Sequence, residues 1–125
     1  MMKQILVIED QPEVRCFLKV ALSRAGFGVT IAENGREGIV RFLHRKPDMI
    51  ITDIFMPGND GLEVIRTARQ SDPALPIIAI SGGTPMICAD YLPVATEFGA
   101  TVTLTKPILP TVLLETVSSL IGTAH

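Results

Sequence analysis

Two apolar runs in this chain stop abruptly at acids. Ile5-Leu6-Val7-Ile8 ends at Glu9-Asp10, and Met49-Ile50-Ile51-Thr52 ends at Asp53. Beyond Asp53, Met56-Pro57-Gly58 breaks the strand and Asp60-Gly61 opens a new turn. A third run, Ile77-Ile78-Ala79-Ile80, stops at Ser81-Gly82-Gly83, and the β-branched stretch Thr101 to Thr105 stops at Lys106-Pro107. Short apolar runs bounded by turn residues read as buried strands of a parallel sheet, and in such sheets the C-terminal strand ends share one open rim. Glu9, Asp10, Asp53, Ser81 and Lys106 are therefore expected to converge there. Three carboxylates so close repel one another, and a single lysine cannot neutralise them. A hard divalent cation can, and Mg²⁺ suits carboxylate, carbonyl and phosphate oxygens.

The elements between these tips follow from periodicity and caps. Pro12 fits the first turn of a helix, in which Val14, Phe17, Leu18, Ala21, Leu22 and Ala25 recur at helical spacing down to Gly26. Cys16 lies beside that stripe and is expected to pack. Gly28 to Ala32 reads as a strand, and Asn34 caps a second helix with Glu37 at its positive end. Ile39, Val40, Phe42 and Leu43 are expected to form its buried side, with His44-Arg45-Lys46 at the C-terminal end and His44 at the surface. Asp60 caps a third helix with Leu62, Ile65 and Ala68 inward, closing near Ser71-Asp72-Pro73. A short helix from about Asp90 to Gly99 and a last one from about Pro110 to Gly122 complete the pattern. Five strands alternating with five helices give a doubly wound α/β sheet with right-handed crossovers.

The chain has 125 residues, enough for one domain with a substantial core. A net charge of -2 without like-charge blocks argues against broad attraction to nucleic acid or anionic lipid. No apolar segment approaches a membrane span and the N-terminus shows no signal-peptide pattern, so a cytoplasmic location is expected. Cys16 and Cys88 stand outside any Cys-x-x-Cys pattern and are expected to be reduced thiols without a catalytic role.

From Met1 to about Ile121 the chain resembles a response-regulator receiver domain. The resemblance is carried by Glu9-Asp10, Asp53-Ile54-Phe55-Met56-Pro57-Gly58, Asp60-Gly61, Ser81-Gly82 and Lys106-Pro107. It implies a flavodoxin-like strand order 2-1-3-4-5. It also implies that Asp53 takes a phosphoryl group from a histidine kinase or histidine phosphotransfer protein. By the same resemblance Glu9, Asp10, Asp53 and the backbone carbonyl of Phe55 hold Mg²⁺, Lys106 pairs with the phosphoryl oxygens, Ser81 hydrogen-bonds one of them, and the Lys106–Pro107 peptide is cis. The module would assist its own phosphorylation without turning over a separate substrate. Its output would be a change in the Ser81–Lys106 face that controls an unidentified protein or domain, with homodimerisation left open. Residues 1–125 are expected to be a single receiver domain with no output domain in this chain.

The chain departs from the family pattern in three ways. Thr103 replaces the aromatic usual three residues before the lysine, the stretch from Ser81 to Gly99 is long and rich in Gly and Pro, and Phe55 and Gly83 stand where polar residues are frequent. Tyr91 at the start of the fourth helix is a candidate substitute ring. A receiver-like scaffold that binds partners unphosphorylated is the alternative reading. A phosphatase of the haloacid-dehalogenase type would need a second acid two residues after the nucleophile, where Phe55 stands. A nucleotide-binding fold is opposed by the turn Glu9-Asp10-Gln11-Pro12, which has no glycine cradle.

Overall fold

Strand pairing follows from the apolar runs. In the computed structural model, which describes residues 2–56, 61–82 and 93–125, five strands form one parallel sheet. They are β1 (Gln4–Ile8), β2 (Gly28–Ala32), β3 (Met49–Asp53), β4 (Ile77–Ser81) and β5 (Val102–Thr105). Their order is β2-β1-β3-β4-β5, which is the flavodoxin-like order. The helices are α1 (Pro12–Arg24), α2 (Gly35–His44), α3 (Gly61–Ser71), α4 (helical over 93–98) and α5 (Pro110–Ile121). The expected cap at Asp60, the helix start near Asp90, and Gly83, Cys88 and Tyr91 lie outside the described residues.

Alternation along the strands builds two apolar layers. Ile5 and Val7 of β1, Met49 and Ile51 of β3 and Ile78 and Ile80 of β4 pack with Leu18, Leu22, Leu113 and Val117 of α1 and α5. Leu6, Ile8, Ile50, Ile77 and Ala79 pack on the other face with Phe42, Val64, Ile65 and Ala68 of α2 and α3. Every residue of β3 and β4 is buried, as expected for central strands covered on both sides. β5 is an edge strand with no fully buried residue, and Thr103, half-buried, pairs with Ala79.

Local chemistry sets the helix ends. Asn34 caps α2, its Oδ1 accepting from Glu37 N at 2.8 Å, while Glu37 Oε2 accepts from Glu33 N at 3.3 Å. Gly26 ends the α1 segment at φ 97°, where a side chain would be strained.

Two expectations about packing fail. Val40 and Leu43 are exposed, at 60% and 68%, and the inward side of α2 consists of Gly35, Gly38 and Phe42 with Ile39 partly covered. A period of about 3.6 residues places those four together and turns Val40 and Leu43 away. Gly38 sits inward because Ile8 fills the space that a Cβ there would occupy. Cys16 is also exposed, since the packed line of α1 runs through Leu18 and Leu22 and leaves Cys16 on its flank.

Candidate functional site

Register brings the acids together. Ile8 of β1 pairs with Thr52 of β3, so Glu9 and Asp53 are the next residues on neighbouring strands. By alternation both follow the layer under α1 and α5. Glu9 is 0% exposed and Asp53 is 3% exposed. One carboxylate oxygen from each of Glu9, Asp10 and Asp53 lies within 4.8 Å of the others. Arg15, one turn into α1, donates to the Glu9 carbonyl at 3.0 Å and to the Asp10 carbonyl at 3.4 Å, which fixes the acidic turn.

The lysine arrives from the other side of the sheet's rim. Ser81 pairs with Thr105, and Lys106 N donates to the Ser81 carbonyl at 2.8 Å, so the end of β5 is tied to the end of β4. The Lys106 stem then passes over Gly82, where an added Cβ would stand 2.5 Å from Lys106 Cδ. Glycine at 82 is what leaves that path open. Lys106 Nζ donates to Asp53 Oδ2 at 2.8 Å and to Gln11 Oε1 at 2.7 Å. It also lies 2.6 Å from Glu9 Oε1, an ion pair without hydrogen-bond alignment.

Asp53 is held at both oxygens. Its Oδ1 accepts from Phe55 N at 2.9 Å, while Oδ2 faces Lys106. Its backbone carbonyl packs against Gly61 at the start of α3, with no room for a Cβ between them. A pocket of about 180 Å³ opens over the carboxylate, lined by Asp10, Gln11, Asp53, Phe55, Gly82 and Lys106.

Glu9, Asp10, Asp53, Phe55 and Lys106 thus meet at one rim. Ser81 is fully buried at the tip of β4, its carbonyl bound to Lys106 N, and its neighbour Gly82 lines the pocket. The Lys106–Pro107 peptide is cis. Gln11 went unassigned in the sequence reading. Its place before Pro12 marks it only as a helix N-cap.

Crowding shows in the electrostatics. Burial, and next the neighbouring Asp53 carboxylate, push Glu9 up to about 7 from its ordinary 4.5, against the opposing pull of Lys106. Burial works to lower Lys106, but Asp53 and Glu9 outweigh it and hold the ammonium above its ordinary value. Asp10 Oδ1 and Glu9 Oε1 are buried acceptors that receive no hydrogen bond among the described residues. Three carboxylate oxygens within 4.8 Å of one another, with Asp10 Oδ1 receiving no hydrogen bond among the described residues, are a donor set that a hard cation fits.

The chain is similar to known proteins. The chain is 37% identical to the transcriptional regulatory protein AfsQ1 of Streptomyces coelicolor over 90% of its length, and spans 48% of that protein. It is 42% identical to the response regulator receiver protein CpdR of Brucella abortus over 65% of this chain and 68% of the other. Among solved structures, a response regulator receiver domain protein from Clostridium thermocellum superposes with a TM-score of 0.87 at 27% identity, covering 96% of this chain and 94% of that one. The chemotaxis response regulator CheY4 of Vibrio cholerae gives 0.84 at 28% identity, covering 97% and 100%. The chain spans about half the length of AfsQ1 and 35% of KdpE of Escherichia coli, another transcriptional regulatory protein it matches. The sequence profile of the response regulator receiver domain matches residues 5–118. With that profile covering most of the chain, and with the rim geometry described above, the chain belongs to the response regulator receiver domain family.

Proposed function

We propose that Asp53 is the phosphoacceptor of this two-component switch, receiving its phosphoryl group from a histidine kinase or a histidine phosphotransfer protein. Receiver domains of response regulators are phosphoacceptor signalling modules, and the assignment of Asp53 rests on one observation. Lys106 Nζ, at 2.8 Å, holds one Asp53 oxygen at a small pocket that is also lined by Asp10, whose buried Oδ1 receives no hydrogen bond among the described residues.

The carboxylate is a weak nucleophile, so placement and charge neutralisation must supply most of the acceleration. Phe55 N and Lys106 Nζ fix the carboxylate plane from two sides. An Asp53 oxygen forms the new O–P bond as the donor's N–P bond breaks, its electron pair returning to the imidazole nitrogen. Lys106 then shares its charge with the phosphoryl oxygens. Glu9, Asp10, Asp53 and the Phe55 carbonyl would hold Mg²⁺. When bound, that ion neutralises phosphoryl charge and sets the orientation of the group.

The added group brings about -1.5 to -2 charge and strong acceptor oxygens. Lys106 and Ser81 lie on adjacent strand tips joined by a backbone hydrogen bond. A pull on either reaches β5 and the segment after β4, which links the chemistry to a partner surface. The output partner belongs to the same proposal, as does a cytoplasmic site of action. AfsQ1 and KdpE are transcriptional regulators, and a fused or separate output protein would serve this chain in the same way. Module and phosphodonor form the whole reaction, with no further substrate turned over.

The test is intact mass after incubation with acetyl phosphate and millimolar Mg²⁺. One phosphoryl adduct on the wild-type chain and none on Asp53→Asn is the expected result. An adduct that persists in Asp53→Asn moves the acceptor elsewhere.

A further inference from the structure

Gln11 stands at the N-cap of α1, with φ -82° and ψ 118°, yet its side chain makes no capping hydrogen bond. Instead it crosses the mouth of the pocket, and its Oε1 accepts from Lys106 Nζ at 2.7 Å. The ammonium has only donors, so the amide must present its oxygen there and turn its N–H₂ group away. The cap is left without a side-chain bond in favour of a contact 95 residues away in sequence. Pro12 at the next position limits that loss, because one of the N-terminal N–H groups is missing already.

Among the described residues, Lys106 Nζ meets two carboxylates and one amide oxygen. Asp53 Oδ2 accepts a hydrogen bond at 2.8 Å and Glu9 Oε1 forms an ion pair at 2.6 Å, both from buried acids on the sheet. Gln11 Oε1 is neutral, comes from the exposed side and belongs to a different element, α1. Two anions on one side would draw the flexible lysine stem down toward Glu9 and away from the pocket mouth. The amide oxygen holds the ammonium toward that mouth without adding charge to a space that must admit a phosphoryl dianion.

On the reading that Asp53 is the phosphoacceptor, we propose that Gln11 is a positioning residue for Lys106. Its side-chain carbonyl sets the ammonium where incoming phosphoryl oxygens need it. A glutamate there would hold the lysine equally well and repel the donor, and an asparagine is one methylene too short to reach. Glutamine alone among the amides combines reach with neutrality.

Two substitutions separate this role from helix capping. Gln11→Met keeps the stem and removes the strong acceptor. Gln11→Asn removes the reach and supplies a short side chain of the kind that caps helices well, so α1 should be no less stable. With acetyl phosphate and millimolar Mg²⁺, both variants should form the single adduct more slowly than wild type by roughly fivefold, the size of one modest hydrogen bond. Their urea midpoints should match wild type for Met and equal or exceed it for Asn. Wild-type rates in both variants overturn the inference and leave the acceptor assignment standing. So does slowing that merely tracks a lowered urea midpoint, because that assigns Gln11 to the helix. An absent adduct on the wild-type chain overturns both.

Discussion

Replacing Glu9 with glutamine tests the crowding directly. Glu9 is fully buried and its carboxyl is held at about 7 instead of 4.5, first by burial and then by Asp53. Between those values the folded protein keeps a proton that the unfolded chain releases, so stability falls as pH rises through the window. Protonated Glu9 imposes no such penalty below about 4.5, and the full penalty is present once the pH exceeds about 7. Integrating the proton difference from pH 5 to pH 8 gives a loss of roughly 2–3 kcal/mol in the wild-type protein. Glutamine is the neutral isostere of the protonated acid, so Glu9→Gln should lack this slope. The two proteins should have similar stability near pH 5. At pH 8, in EDTA, the variant should be the more stable, with a urea midpoint higher by about 1–2 M at a typical denaturant slope. Millimolar Mg²⁺ competes with the proton for the same oxygens and should flatten the wild-type profile above pH 7 while moving the variant less. A difference between the two proteins that stays constant from pH 5 to pH 8 refutes the reasoning.

Lys106→Met leaves Glu9 and Asp53 buried beside no cation, and should cost about 3 kcal/mol at pH 8 in urea unfolding without metal. The loss should shrink at pH 5, where Glu9 takes up a proton. Gly61→Ala drives a Cβ into the Asp53 backbone carbonyl and should cost roughly 1–3 kcal/mol, read by thermal unfolding, with slower phosphorylation because the carboxylate is displaced. Asn34→Ala removes the α2 cap and should cost about 1 kcal/mol, with Asn34→Asp close to neutral. Because Asn34 lies outside the pocket, the Asn34→Ala chain should still phosphorylate at the wild-type rate once folded.

What the sequence made legible is what apolar runs and their terminators encode. The apolar runs of β1, β3 and β4 each give way to a buried polar residue, Glu9, Asp53 and Ser81, and that change of residue type marks the rim. The α2 face was misread because glycine carries no hydrophobic signal. Val40 and Leu43 look like core by type, whereas Gly35 and Gly38 take the inward places because the helix lies so close to Ile8 that no Cβ fits. Cys16 was misplaced for a related reason. The stripe on α1 is broad enough for a neighbouring residue to look included, while only Leu18 and Leu22 are fully covered. Gln11 was silent because its partner lies on the far strand, and nothing in the local pattern Glu9-Asp10-Gln11-Pro12 distinguishes a glutamine that reaches Lys106 from one that faces water.

The backbone explains why the rim tolerates so unfavourable a cluster. Two buried acids and a third carboxylate nearby oppose folding, and a single ammonium repays only part of that. The backbone supplies the rest of the constraint. Lys106 N is fixed to the Ser81 carbonyl, Phe55 N to Asp53 Oδ1, and Arg15 to the carbonyls of Glu9 and Asp10. None of these bonds uses a carboxylate oxygen needed for a cation except the one at Asp53 Oδ1. The charges are therefore held in place by the sheet and the first turn of α1, and cannot relax apart to relieve their repulsion. Strain of that kind is released by whatever brings positive charge in, and under the proposed phosphorylation of Asp53 it would shift again as Lys106 turned to the phosphoryl oxygens. A rim built without the repulsion would be more stable, and it would respond less to either event.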